Sequence, residues 1–465
     1  MKRFWLVLLS LGLIVAFSAS AMAVDVKFSG EYYAAGMYLD RTNVNKTSYT
    51  IPATFTTPAK LVDEGPSTAF YFQRLRLGTD FVVSPGLKLV TRADIMERAW
   101  GANRTAPGVA QDVMSAGTRS ENENVAFDLL YVSYVSPIGM FNVGYQIDDV
   151  WGTVWGNSSN PKGKIAYYFK TGGLTLILQA GKDKELSRSV NNPLGDADKD
   201  QSFYTAAGIY SWKTGEAGLL FKYIKNNQFR NIASTPLTQD AGFTWDGLIT
   251  TPYVKAKLGP VALQAQIYYL YGEQSWEGNR ALLGNPPDVD LSQLTAWIDA
   301  TVDFGKFYVG GSLAYVSGDD PDTKDEAEGG VLGGGLDYNP CLIMFNNDLT
   351  YWVGRQGGYN GSSNGGVMTN AYFGQLRAGV RPIDKLDIMA SVSYATADKT
   401  PQAVWDSREY GYEIDLTATY KITNNLSYML GGGYWIVGDY YTGTAAAGQD
   451  VDDNFMVINK LTLTF

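Results

Sequence analysis

Asp453-Asn454-Phe455-Met456-Val457-Ile458-Asn459-Lys460-Leu461-Thr462-Leu463-Thr464-Phe465 closes this chain of 465 residues and alternates with a period of two. One side carries Phe455, Val457, Leu461, Leu463 and Phe465, with Asn459 its single polar member; the other carries Lys460, Thr462 and Thr464. Successive side chains of a strand point to opposite faces, so this is a strand with one greasy and one polar side. Soluble chains rarely finish this way. With lipid on one side and a watery lumen on the other the pattern is natural, and it should then recur about every ten residues between turns.

The start of the chain points to export. Lys2 and Arg3 precede an apolar run over 4–17, and small residues follow up to Ala21-Met22-Ala23. These are the n-region, h-region and cleavage site of a secretory signal peptide, so residues 1–23 are expected to be removed after Ala23 and 24–465 to form one barrel domain. The run is short for a transmembrane helix, and no other stretch approaches about 20 uninterrupted apolar residues. No Cys follows the signal to carry a lipid anchor. The one cysteine, Cys341, cannot form an internal disulfide, and without any His it cannot complete a haem-attachment motif or a zinc site built on His and Cys. No cofactor or metal is expected.

Losing 1–23 removes two positive charges and no negative ones, so 37 − 2 = 35 Lys and Arg stand against 47 Asp and Glu, a net charge of −12. An acidic exterior argues against nucleic acid as a partner. No linker or composition shift divides the chain, and its 51 Gly and 31 Tyr are spread from end to end, which favours one large closed sheet with tight turns and aromatic girdles. In order, strands are expected over 24–40, 68–83, 87–98, 125–135, 140–147, 163–170, 174–183, 202–212, 217–229, 247–257, 261–273, 291–304, 307–317, 331–338, 342–354, 371–381, 386–398, 410–422, 426–438 and the closing stretch. Short turns such as Ser84-Pro85-Gly86, Ser136-Pro137-Ile138-Gly139 and Thr423-Asn424-Asn425 alternate with long polar loops, as periplasmic turns and extracellular loops do. The fold class is therefore all-β: a transmembrane antiparallel β-barrel of about 20 strands. If the glycine-rich 331–338 is not a strand, its partner goes with it and the count is about 18. Either size leaves a lumen too wide for wall side chains to fill. No N-terminal plug domain is expected, so the interior should be a channel narrowed by loops, with 41–67 and 99–124 as the candidates.

Alternation assigns the lumen face. Leu75, Leu77 and Phe81 point to lipid and send Arg74, Arg76 and Asp80 inward; Leu87, Leu89 and Ile95 do the same for Lys88, Arg92, Asp94 and Arg98. Phe127, Leu129 and Tyr131 outward leave Asp128 inside, and Phe141, Val143, Tyr145 and Ile147 leave Asn142, Gln146 and Asp148 inside. Further round, Arg377 and Arg381 are inward, as are Asp299, Asp348 and Asp415. An Arg or Lys on the lipid face at mid-bilayer costs roughly 2–4 kcal/mol, which favours this assignment. Functionally, arginines facing carboxylates would set a transverse field that selects small polar solutes; structurally, the same residues would be salt bridges that brace the wall. Both readings stand at this point.

Other patterns carry less. Trp151, Trp155, Tyr268 and Tyr269 could form a sugar-stacking track, although girdle or loop packing is the commoner role of such residues. Asp196, Asp198 and Asp200 have the spacing of a Ca²⁺ loop, but Gln201 stands where the sharp-turn Gly belongs and Ala207 where the bidentate Glu belongs. The acidic run over 319–328 reads as a solvated extracellular loop. With no histidine, a Ser-His-Asp triad is impossible, and no enzymatic activity is expected.

The signal peptide, the repeated strands, the run Gly144-Tyr145-Gln146-Ile147-Asp148-Asp149-Val150-Trp151-Gly152-Thr153 and the terminal Phe465 together resemble a bacterial outer-membrane porin, more narrowly those of metal-reducing delta-proteobacteria. The resemblance implies a location in the outer membrane of a Gram-negative cell, with Phe465 as the membrane-insertion signal read by the barrel assembly machinery. Its implied partners are outer-membrane lipid, lipopolysaccharide and small polar solutes, and its implied assembly is a homo-trimer. The leading expectation is passive diffusion through a water-filled channel. A barrel sheath or scaffold for cytochromes in extracellular electron transfer and a substrate-specific facilitator are the alternatives.

Overall fold

The structure, a computed structural model, describes residues 24–46, 49–51, 60–62, 65–102, 125–186, 199–230, 241–278, 280–330, 335–357, 363–364, 366–401, 405, 407–444 and 450–465. The signal segment 1–23, Asp196 and Asp198, and 103–124 of the second expected constriction segment lie outside them, as does most of 47–64 in the first.

Alternation and turn chemistry produce β1 Asp25–Leu39, β2 Thr68–Ser84, β3 Leu87–Ala99, β4 Val125–Ser136, β5 Gly139–Asp148 and β6 Asn160–Thr171. They continue with β7 Leu174–Lys184, β8 Gln201–Trp212, β9 Gly215–Asn226, β10 Ala241–Leu258, β11 Val261–Gly278 and β12 Val289–Asp303. The last six are β13 Phe307–Val316, β14 Ala371–Ile383, β15 Leu386–Ala397, β16 Glu409–Lys421, β17 Leu426–Val437 and β18 Asn454–Thr464. Each pairs antiparallel with its neighbour in sequence, and the ring closes where β1 meets β18 in the register Glu31↔Thr464 to Leu39↔Met456. The count is thus 18 strands; the short strand Glu326–Ala327 lies outside the ring, parallel to the start of β12. A closed ring satisfies every ladder internally, which is what allows strands to cross a membrane.

The outer face supports that setting. Leu376 (75 %), Phe127 (71 %), Leu313 (65 %) and Leu416 (57 %) head a belt of exposed large apolar side chains that no soluble surface of this extent would carry. Phe455, Val457 and Leu463 are exposed on β18, while Asn454 and Met456 are buried on its inner face, as the alternation required. Among the described residues no helix is long and apolar enough to cross a membrane.

The expected count of 20 is corrected to the alternative of 18. Residues 331–334 lie outside the described set and 335–338 are not in a strand, and its expected partner 342–354 contains instead the helix α1, Asn347–Val353. Asn346 caps this helix, its side-chain oxygen accepting the N–H of Leu349 at 2.8 Å. Phe345, Leu349, Trp352 and Val353 recur with helical spacing and are buried.

Two β-bulges also change faces. In β4 the pairing steps from Arg92↔Leu129 to Ala93↔Phe127, leaving Asp128 as the extra residue. Phe127 and Leu130 both face out, so Leu129 and Tyr131, expected toward lipid, lie on the inner face with Ser133. In β3, Met96 (φ +53°) and Glu97 together oppose Arg74, and the alternation slips by one. Glu97 takes the inward place, and Arg98, expected to line the pore, falls opposite Gln73 on the outer side. There its guanidinium donates to Met96 Sδ at 2.9 Å beside Trp100, which stacks on Tyr71 and donates to Gln73 at 2.9 Å.

Candidate lumenal site

Two segments fold inward and decide what the lumen can do. Residues 335–357, which contain α1, lie against the inner faces of β12–β18 and β1–β3. Trp352 packs on Phe72 with ring centroids 4.3 Å apart, and Ile343, Met344 and Phe345 join a buried cluster with Met37, Phe373, Trp435 and Met456. Backbone donors of the segment are satisfied by the wall: Ile343 and Met344 N–H donate to the two carboxylate oxygens of Glu413 at 2.7 and 2.6 Å. Gln375 of β14 donates to Pro340 O at 2.7 Å.

The second segment, 149–159, joins β5 to β6 and reaches across to β10–β12. Trp151 Nε1 donates to Thr251 O at 2.9 Å, Thr153 Oγ1 to Gln266 Oε1 at 2.6 Å, and Trp155 Nε1 to Thr295 Oγ1 at 3.2 Å. Gly152 makes the approach possible. Its φ is +64°, and a Cβ there would sit 2.3 Å from the ring of Tyr253. The two segments meet at Trp155, which is parallel to Trp297 and edge-on to Tyr338, and at Ser159, whose hydroxyl donates to Asp337 at 2.6 Å. Trp155 is thus a packing residue, whereas Trp151, anchored to the wall, also borders the open lumen. Tyr268 is buried and Tyr269 faces outward, so the four aromatics do not form a track.

What the segments leave open is a cavity of about 1020 Å³ on the arc β5–β11. On β9 alone its lining runs from Glu216 through Leu220 and Lys222 to Ile224, eight residue rises or about 26 Å of strand. With strands tilted about 40°, that is roughly 20 Å along the bilayer normal, about two thirds of its hydrocarbon thickness. Its charged lining is five lysines, Lys162, Lys164, Lys184, Lys222 and Lys255, against Asp148, Asp149, Asp183 and Glu216. Lys164 and Lys222 each reach Asp148 at 2.7 Å, Lys222 also reaches Asp149 at 2.7 Å, and Lys162 reaches Asp149 at 2.8 Å and Asp183 at 3.5 Å. Nearer the short-turn end Lys255 pairs with Glu216 at 2.6 Å.

The residues singled out from the sequence fall into wall pairs. Arg76 grips Asp94 through two 2.7 Å bonds, Lys88 meets Asp80 at 2.6 Å, Arg92 holds Asp128 through Nε at 2.9 and 3.0 Å, and Arg74 reaches Glu97 at 3.3 Å. Arg377 grips Asp299 at 2.7 and 2.8 Å, and Arg381 bridges Asp303 and Asp387, each at 3.0 Å. Partners sit on neighbouring strands or, for Arg377–Asp299 and Arg381–Asp303, two strands apart across β13, so these pairs run along the wall. Of the set, only Asp148 lines the cavity. Lys162, Lys164 and Lys222 escaped the sequence reading, although each is the polar member of an alternating strand. Asp348 lies on α1 instead of a strand, and Asp415 is buried beneath the inserted segment.

No family model and no curated protein matches the chain. Among solved structures, OpdK of Pseudomonas aeruginosa with vanillate is 12 % identical, covering 94 % of this chain and 99 % of its own, with a TM-score of 0.48. The outer-membrane channel DcaP of Acinetobacter baumannii is 12 % identical over 96 % and 99 % at 0.41, and a BenF-like porin of Pseudomonas fluorescens 12 % over 94 % and 99 % at 0.47. At such identities and scores nothing about solute or mechanism carries over.

Proposed function

We propose that the chain is an outer-membrane channel through which small polar solutes and ions cross passively, down their gradients, along the β5–β11 cavity. The supporting observation is the contrast within one lumen. The arc β12–β18 and β1–β3 is filled by apolar packing on the inserted segment, whereas β5–β11 keeps an open, charge-lined space along most of a strand. Export through cleavage after Ala23, insertion directed by Phe465, and contact with lipopolysaccharide belong to the same reading, as do a trimeric state and the likeness to delta-proteobacterial porins. The wall pairs from Arg74 to Arg381 brace the barrel and set its internal field.

One observation favours charge selectivity within this channel. Five lysines face four carboxylates along the cavity, so its lining carries one excess positive charge, and small anions pass in preference to cations. The test is single-channel recording from the refolded chain in a planar bilayer under a salt gradient. Discrete ohmic steps with a reversal potential on the anion side support the reading. A heat-modifiable, folded barrel that gives no steps overturns it and turns attention to a scaffold for cytochromes.

A further inference from the structure

Cys341, Glu413 and Asp415 meet where the inserted segment is pressed against β16. One donor atom from each lies within 4.8 Å of the others, and the three residues are 4 %, 0 % and 3 % exposed. Glu413 is held in place by the N–H groups of Ile343 and Met344. Asp415 Oδ2 accepts a long bond from Ser391 Oγ at 3.4 Å and its carboxyl group also faces the Leu342 backbone and the Glu413 carboxyl, while its Oδ1 is sealed from solvent and has no hydrogen-bond partner. That oxygen and Glu413 Oε1 converge over Gly433, where an added Cβ would stand 2.7 Å from the first and 3.3 Å from the second. Among the described residues no Lys or Arg forms an ion pair with either carboxylate.

Two ionised carboxylates shut away from water without a countercharge are strongly unfavourable, so either a shared proton or a bound cation sits between them. The third corner narrows the choice. It is the sulfur of Cys341, which ligates a metal as thiolate, so a bound ion takes the place of its proton. One sulfur and two carboxylate oxygens form a mixed donor set that suits a borderline divalent ion of the zinc class; Ca²⁺ and Mg²⁺ favour larger all-oxygen shells. Ser391 is placed to orient one ligand from behind, as ligating carboxylates require.

We propose that Cys341, Glu413 and Asp415 bind one divalent transition-metal ion of the zinc class, a site that staples the inserted segment to the barrel wall. Binding releases the thiol proton to solvent, and no redox step is involved. The proposal does not rest on the channel reading, and its test needs no current. The chain is refolded in detergent with Co²⁺, its fold is checked by heat-modifiable migration, and its near-ultraviolet absorption is recorded. A thiolate-to-cobalt charge-transfer band that saturates at one cobalt per chain and is displaced by Zn²⁺ is expected. Cys341→Ser should abolish the band, and Asp415→Asn should weaken Co²⁺ binding at least tenfold. A folded, unsubstituted chain that shows no such band at saturating Co²⁺ and retains no Zn²⁺ would overturn the proposal and leave a proton shared by the two carboxylates.

Discussion

Trp155 is the keystone between the two inserted segments and the wall, and Trp155→Ala tests whether they set the size of the channel. The side chain is fully buried, with Trp297 parallel to it at 6.2 Å and Tyr338 edge-on at 5.0 Å, and its Nε1 donates to Thr295. Truncating a buried Trp costs about 3–5 kcal/mol. None of the ladders that close the 18-strand ring passes through residue 155, so the loss falls on the docking of the segments. At one tenfold per 1.36 kcal/mol the undocked population should rise roughly 150-fold to 5,000-fold. In planar bilayers the variant should show a larger mean conductance, or flicker between two levels, while migrating as a folded, heat-modifiable barrel. A folded variant with the parent's single level and parent noise would refute the idea that these segments narrow the lumen.

Gly152→Ala forces a Cβ into the Tyr253 ring at a left-handed backbone position, and should increase hydrogen exchange across 149–159 while β5 and β6 stay protected. Lys222→Gln removes the cation shared by Asp148 and Asp149, and the reversal potential should move toward cation selectivity. Arg92→Ala leaves Asp128 unpaired on the wall and should move it the same way, by less, since neither residue lines the main cavity. Gly30→Val puts side-chain atoms where the Phe465 ring lies over the β1–β18 seam, 2.7 Å from the nearest ring carbon. The yield of heat-modifiable barrel on refolding should fall several-fold, and Phe465→Ala in the same chain should restore part of it.

The barrel was legible because its physics is local. A period of two, turn residues at the right intervals and an aromatic end suffice to place most of the 18 strands. The misread features arise where one residue changes the phase or where a segment answers to something distant. Met96 and Asp128 each add one residue to a strand, and every face assignment beyond them inverts; Arg98, Leu129 and Tyr131 are the casualties. The stretch 342–354 alternates well enough to pass for a strand. Yet it also carries a capping Asn346 and apolar residues at 345, 349, 352 and 353, and the helical reading prevails because these can cover Phe72 and Phe373 across the lumen. A signal for that cover was present. Met37, Leu39, Phe70, Phe72, Trp435 and Met456 are apolar on faces that a water-filled lumen would keep polar, so an inserted segment had to bury them. The lysine cluster was missed for a different reason. It is assembled around Asp148 and Asp149 from Lys162 and Lys164 on β6, the hairpin partner of β5, and from Lys222 on β9, and only the curvature of the ring brings Lys222 to the others.

Solutes are expected to travel along the β5–β11 arc and not through the rest of the lumen. Leu220 lines the cavity midway along β9, and Ala395 is buried beneath the inserted segment on β15. Single-channel current is recorded from Leu220→Cys and Ala395→Cys before and after a charged, water-soluble thiol reagent, with the unsubstituted chain as control for the buried Cys341. A stepwise loss of current is expected for Leu220→Cys and none for the other two. Block at Ala395→Cys with Leu220→Cys unaffected would contradict it.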